Sequence, residues 1–215
     1  MYTTAQRIFE NTLSAEKGVS TAINLGLLKL VDEELIQEAS SWVVEALAIG
    51  KRVWLTSDLH FGHKNIITYS DRPFGSVEEM TQAHLALLQK VPADELLIIA
   101  GDVALGNLDE AIELLRSIPC RKVLVAGNHD MARDGKFRYK RAPDLFDAVV
   151  PFLHWQGGLG RLVMVTHYPV VVTMHDVSTS VINYHGHLHQ LRMADSALVK
   201  YVNAGWDAAH GLLCL

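Results

Sequence analysis

Five short apolar runs in this chain end in residues able to bind metals, and this recurrence constrains the fold more than any other feature. Val53-Trp54-Leu55-Thr56 runs into Ser57-Asp58-Leu59-His60, and Leu96-Leu97-Ile98-Ile99-Ala100 breaks at Gly101-Asp102. Val123-Leu124-Val125-Ala126 breaks at Gly127-Asn128-His129-Asp130. Leu162-Val163-Met164-Val165 leads to Thr166-His167, and Val181-Ile182-Asn183-Tyr184 leads to His185-Gly186-His187-Leu188-His189. Continuous runs of four or five aliphatic residues read as buried strands. In layered α/β folds the carboxyl ends of such strands are where ligands gather. The pattern predicts one site assembled from five loops.

Helices are predicted between the strands. Ser76 with Glu79 forms a capping box that starts a helix running to about Val91, and Asn107 to Ser117 reads as another, closed by Pro119. Residues 1–50 contain neither histidine nor proline and read as two or three helices. The clearest opens at Asp32-Glu33-Glu34, where acidic side chains suit the positive end of the helix dipole. Its apolar positions Leu35, Ala39, Trp42, Val43, Ala46 and Leu47 recur at helical spacing, and Gly50 supplies a stop. The sequence thus divides into a helical extension, 1–50, expected to pack on or near the core, and a domain over 51–215.

Composition narrows the function classes. With 215 residues, 49% hydrophobic and 20% charged, the chain is an ordinary globule long enough to bury a large core. The formal charge of −5 disfavours a uniformly basic nucleic-acid clamp. One local exception is the run 133–141, where Arg133, Lys136, Arg138, Lys140 and Arg141 face only Asp134. The two cysteines, Cys120 and Cys214, form no disulfide framework and suit a reducing compartment. No targeting segment and no membrane-length apolar run is visible, so a soluble cytoplasmic protein is expected.

The candidate ligands are Asp58, His60, Asp102, Asn128, His167, His187 and His189. Taken singly, Asp-x-His and Gly-Asp are weak signals, but Gly-Asn-His-Asp is expected on the order of 0.0015 times in such a composition. Seven donors are too many for one zinc and suit two ions if one carboxylate bridges them. Two ions about 3.5–4 Å apart can clamp a phosphoryl group. Imidazole mixed with carboxylate favours Mn, Fe, Zn or Ni over Mg or Ca.

As an ordered set, Asp58-x-His60, Gly101-Asp102, Gly127-Asn128-His129-Asp130, Thr166-His167 and Gly186-His187-x-His189 resemble the calcineurin-like metallophosphoesterases. Leu59-His60-Phe61-Gly62-His63-Lys64-Asn65-Ile66 and Arg72-Pro73-Phe74 look like a small prokaryotic and phage-associated branch of that family. The resemblance implies an α/β four-layer sandwich, two mixed β-sheets with helices outside. It assigns Asp58, His60 and His189 to one metal and Asn128, His167 and His187 to the other, with Asp102 bridging. His129 would be the general acid, with Asp130 orienting it.

The reaction so implied is hydrolysis of a phosphomonoester or phosphodiester on a small phosphorylated substrate. A nuclease acting on DNA or RNA is a disfavoured alternative, and a non-catalytic metal-bound scaffold is another. His63, Arg72 and Arg138 are candidate substrate contacts. Their bland readings are a space-filling loop histidine, a surface ion pair and a solvated basic loop. His185 reads as structural, and His84, His154, His175 and His210 as ordinary surface or core residues. Metal identity and oligomeric state stay open at this level.

Overall fold

The first fifty residues fold into three helices, α1 (Tyr2–Ala15), α2 (Thr21–Leu28) and α3 (Glu33–Ala48), in a computed structural model that describes residues 2–215. Ser20 and Asp32 cap α2 and α3 by accepting hydrogen bonds from the Ile23 and Leu35 amides. Beyond α3 the chain turns at Gly50, whose φ of +74° is readily adopted only without a side chain. These helices do not stand apart. Ile8, Phe9, Leu13, Leu27, Ile36 and Val43 lie buried in the same apolar cluster as strand residues Val53, Leu55, Phe152 and Val165. Each such large side chain contributes about 1.5–3 kcal/mol of burial.

Two mixed sheets form the centre. In the first, β1 (Val53–Thr56), β2 (Leu96–Ile99), β3 (Arg121–Val125) and β4 (Ala148–Val150) run parallel, and β9 (Leu213–Cys214) pairs antiparallel with β1, giving the order β4-β3-β2-β1-β9. The second has the order β5-β6-β7-β8, formed by β5 (Phe152–Gln156), β6 (Leu162–Thr166), β7 (Val181–His185) and β8 (Val199–Asn203). There β5 is antiparallel to β6, and β6, β7 and β8 are mutually parallel.

Strand alternation decides which partner each residue meets. Leu97, Ile99 and Leu124 turn toward α5 (Val77–Leu88) and α6 (Leu108–Arg116), packing on Leu85, Leu88, Ile112 and Leu115. Leu55, Ile98, Val123 and Val125 turn the other way, into the cluster shared with the second sheet and the N-terminal helices. The result is the sandwich expected from the sequence, two mixed sheets flanked by helices.

Some limits and elements differ from expectation. Helix α5 stops at Leu88, short of Val91, because the chain tightens over Gln89 to Val91 before Pro92. Helix α6 begins after Asn107, whose side chain accepts the Asp109 amide and acts as the cap. The short helices α4 (Lys64–Tyr69) and α7 (Trp206–Ala209), and strands β4, β5, β8 and β9, carried no strong periodic signal. At the carboxyl ends of the strands the sheets meet. Gly205 forms a parallel bridge with Ser57, and the Trp206 amide donates to the Ser57 carbonyl at 2.9 Å.

Candidate metal centre

The five loops foreseen from the sequence converge at this seam, and the backbone there is unusual. Asp58, His60, Asp102, His187 and His189 all adopt left-handed conformations, with φ of 56°, 53°, 55°, 68° and 51°. Such values are uncommon for residues with side chains and are held only where surrounding contacts over-determine them. Here the Asp58 amide donates to the Gly101 carbonyl, the His60 amide to the Asp102 carbonyl, both at 3.0 Å, and the His187 amide to the Asp58 carboxylate. Gly186 is required by close approach. A Cβ there would lie 2.0 Å from Ser57 Oγ and 2.5 Å from Asp58 Oδ2.

Two groups of donors gather around Asp58. Asp58, His60 and His189 offer ligand atoms within 4.8 Å of one another, and so do Asp58, Asp102 and His167. His60 Nε2 is buried without a hydrogen-bond partner, 3.7 Å from Asp102 Oδ2 and 4.0 Å from Asp58 Oδ1. An orphaned imidazole nitrogen facing two buried carboxylates fits a divalent cation. Asn128 Oδ1 lies 3.0 Å from His167 Nε2, which is itself 3.4 Å from Asp102 Oδ1. His187 stands farther out, its ring centroid 5.2 Å from that of His167.

Outer contacts set which ring nitrogen faces inward. His167 Nδ1 donates to the Ala100 carbonyl at 2.8 Å, and His189 Nδ1 to Asp207 Oδ2 at 2.7 Å, so each leaves Nε2 for the centre. His60 Nδ1 lies 3.3 Å from His63 Nδ1, which places His63 beside a candidate ligand. Such partners fix tautomer and ring orientation.

The electrostatics are those of a buried charge cluster. Burial opposes ionisation of Asp102, yet the neighbouring His167 overcomes this and holds its carboxyl well below the usual range. Burial likewise opposes the charged form of His167, but the Asp102 carboxylate pushes it up to about 10. Burial raises Asp58 and drives His60 well down. A cation among these groups needs His167 as a neutral ligand, so its binding would be coupled to proton release.

The remaining predicted residues take up different positions. His129 is 38% exposed by side chain, its ring nitrogen Nε2 is 3.9 Å from Asp102 Oδ2, and its amide donates to Asp102 Oδ1. Asp130 does not reach the His129 ring, contrary to the orienting role expected of it. Its carboxylate is consumed by three backbone amides, those of Asp102, Val103 and Gly127, at 2.9, 3.1 and 2.8 Å. It therefore ties the β2 and β3 loops together. Burial, reinforced by the nearby Asp102 charge, pushes its carboxyl up to about 6.

Arg72 is neither a surface ion pair nor placed to meet substrate. It is buried, paired with Asp207, and donates to the Asp58 and Leu59 carbonyls. Arg138 donates to the carbonyls of Ala104 and His129, which ties its guanidinium to the backbone. In the same basic run, Arg141 pairs with Asp109 and Lys136 with Asp134. His185 is buried, with Nδ1 on the Gly186 carbonyl, as a structural residue would be. Asp207 and Glu16, whose carboxylate lies 3.9 Å from His187 Nε2, were not picked out from the sequence. Their partners are distant in sequence, and no local motif marks them.

Gene 66 protein of Mycobacterium phage D29 is 29% identical over 188 residues, covering 75% of this chain and 90% of the phage protein. Uncharacterized protein MJ1445 of Methanocaldococcus jannaschii is 37% identical over 91 residues, 41% of this chain, and the match spans only about half (51%) of the archaeal protein. The crystal structure of a protein of unknown function from Aquifex aeolicus shares the fold, with a TM-score of 0.57 at 21% identity over 76% of this chain and 95% of that one. The calcineurin-like phosphoesterase family model matches residues 51–206, a span that holds every loop converging on Asp58. With that match covering most of its length, the chain belongs to the calcineurin-like phosphoesterases.

Proposed function

We propose that this protein hydrolyses phosphomonoesters or phosphodiesters of small phosphorylated substrates at a dinuclear divalent-metal centre. The observation that carries the reading is the convergence of buried Asp58, Asp102, His60 and His167 with half-buried His189, His60 Nε2 being left unpartnered among the carboxylates. Asp58, His60 and His189 would hold one ion and Asn128, His167 and His187 the other, with Asp102 between them. The donor chemistry suits Mn, Fe, Zn or Ni. When bound, such a pair supplies Lewis-acid activation of water and neutralises charge on the phosphoryl oxygens.

The chain's own residues supply the rest. His129 stands at the exposed rim, fixed by its amide bond to Asp102 and by the Arg138 contact to its carbonyl, with its ring edge-on to His60 at 5.3 Å. An imidazole so placed can meet the leaving oxygen from the solvent side and hand it a proton. Asp130 and Arg72 keep the loops in place without touching substrate. Metal-stripped protein reloaded with Mn²⁺, Zn²⁺, Ni²⁺ or Mg²⁺ should turn over p-nitrophenyl phosphate or its bis-ester in a metal-dependent manner. About two bound ions per chain with no turnover on any ester would favour a scaffold instead.

A further inference from the structure

The N-terminal helices lie outside the residues 51–206 that define family membership, yet they reach the metal centre. Glu16, just past α1, turns its carboxylate toward His187, with Oε2 3.9 Å from Nε2. Its other oxygen accepts the Gly18 amide at 2.7 Å, which anchors the side chain within its own turn. We propose that Glu16 is a positioning residue for His187, so that residues 1–50 complete the metal centre instead of merely covering the core. This rests on the reading above, in which His187 holds an ion.

The connection between α1 and α2 is fastened to two ligand loops at once. On one side, Thr12 Oγ1 accepts the Val171 amide at 2.9 Å, clamping α1 to the loop that follows His167. On the other, α2 meets the loop after Asp130 backbone to backbone. A Cβ on Gly26 would fall 2.2 Å from the Gly135 carbonyl oxygen. Asn24 Nδ2 donates to the Leu13 carbonyl at 3.2 Å and closes the turn. Tyr168 stands edge-on to the His187 ring at 4.7 Å, so the imidazole has an aromatic ring as well as a carboxylate for neighbours.

That arrangement has a chemical meaning. A ligating histidine commonly gives its second ring N–H to a carboxylate, which fixes its tautomer and raises its basicity. With Nε2 turned to Glu16, Nδ1 is the nitrogen left for an ion. On this proposal the carboxylate and the ring, now 3.9 Å apart, draw to hydrogen-bond distance when His187 holds an ion. Glu16→Gln keeps an acceptor for Gly18 but sets an amide N–H against the imidazole N–H.

The test is calorimetric titration of metal-free full-length protein with Mn²⁺, run for the parent, Glu16→Gln and Glu16→Ala, with thermal melts alongside. The parent should take up two equivalents. In both variants one equivalent should weaken by about 10–100-fold while the other keeps its affinity. Unchanged affinities for both ions overturn the proposal, whether or not the variants melt earlier, because Glu16 then only stabilises the helix end. A parent chain that binds fewer than two ions overturns the dinuclear reading and this inference together.

Discussion

Arg72 grips Asp207 through two parallel hydrogen bonds, Nε to Oδ1 at 2.7 Å and Nη2 to Oδ2 at 3.0 Å, with both side chains sealed from solvent. The pair links two parts of the candidate metal centre. Asp207 orients His189, and Arg72 holds the Asp58 and Leu59 carbonyls. Removing one member leaves the other charge buried and alone, which costs about 3–5 kcal/mol. Asp207→Ala should lower the unfolding free energy, read from urea titration, by that much and weaken binding of the ion that His189 would hold. Arg72→Lys should also destabilise the fold, because an ammonium cannot reproduce the fork. Wild-type midpoints for both would show that the pair is dispensable.

Asp130 should behave as a structural residue and not as the partner of a catalytic histidine. Asp130→Asn replaces one of its two acceptor oxygens with a donor, among three buried amides that need acceptors. Each amide left unsatisfied costs about 1–3 kcal/mol. The variant should therefore melt earlier and bind metal poorly. If it kept full stability and lost only turnover, the orienting role expected from the sequence would be restored.

Replacing His129 with alanine should separate protonation from metal binding. The variant should retain its ions and lose about 10²–10⁴-fold in kcat on an alkyl phosphate, whose leaving oxygen needs a proton. With p-nitrophenyl esters the loss should be smaller, since that leaving group departs as an anion. An equal loss on both substrates would remove His129 from the protonation step.

Acid should weaken the fold through His154. Its ring is buried against Tyr2 of α1 and Phe152 with neither nitrogen hydrogen-bonded, and burial drives it down to about 4. The unfolded chain, with a value of about 6.5, binds the proton more readily over that interval. The stability tied to the neutral ring is thus complete above about pH 6.5 and is lost as pH falls toward 4, at up to about 1.4 kcal/mol per unit. Between pH 7 and 5 the parent should lose about 2 kcal/mol that His154→Leu does not. Parallel pH profiles for the two proteins would place the acid sensitivity elsewhere.

The loops of the site were legible in the sequence because each ligand sits two to five residues beyond an apolar run, and such proximity is local information. Helix α3 was legible for the same reason, since its capping aspartate, apolar stripe and terminal glycine all lie within twenty residues. What stayed hidden depends on distance along the chain. Arg72 looks like a candidate phosphate clamp until the fold brings Asp207, 135 positions later, against it. Arg138 lies in a basic run, and only the fold ties its guanidinium to the His129 carbonyl. Asp130 follows His129 directly, but the 3₁₀ turn over Asn128–Asp130 points its carboxylate back at the β2 loop. Adjacency in sequence is a poor guide to direction in a tight turn.

The seam between the sheets has a consequence for how the molecule assembles. Asp58, His60 and Asp102 follow strands of the first sheet, whereas His167 and His189 follow strands of the second, and each cluster of three draws on both. Neither sheet alone carries a complete trio. A nascent chain, a fragment or a half-folded intermediate therefore lacks both trios, and the centre would become competent only after the two halves have docked. Metal uptake at this centre would in that sense report on finished folding.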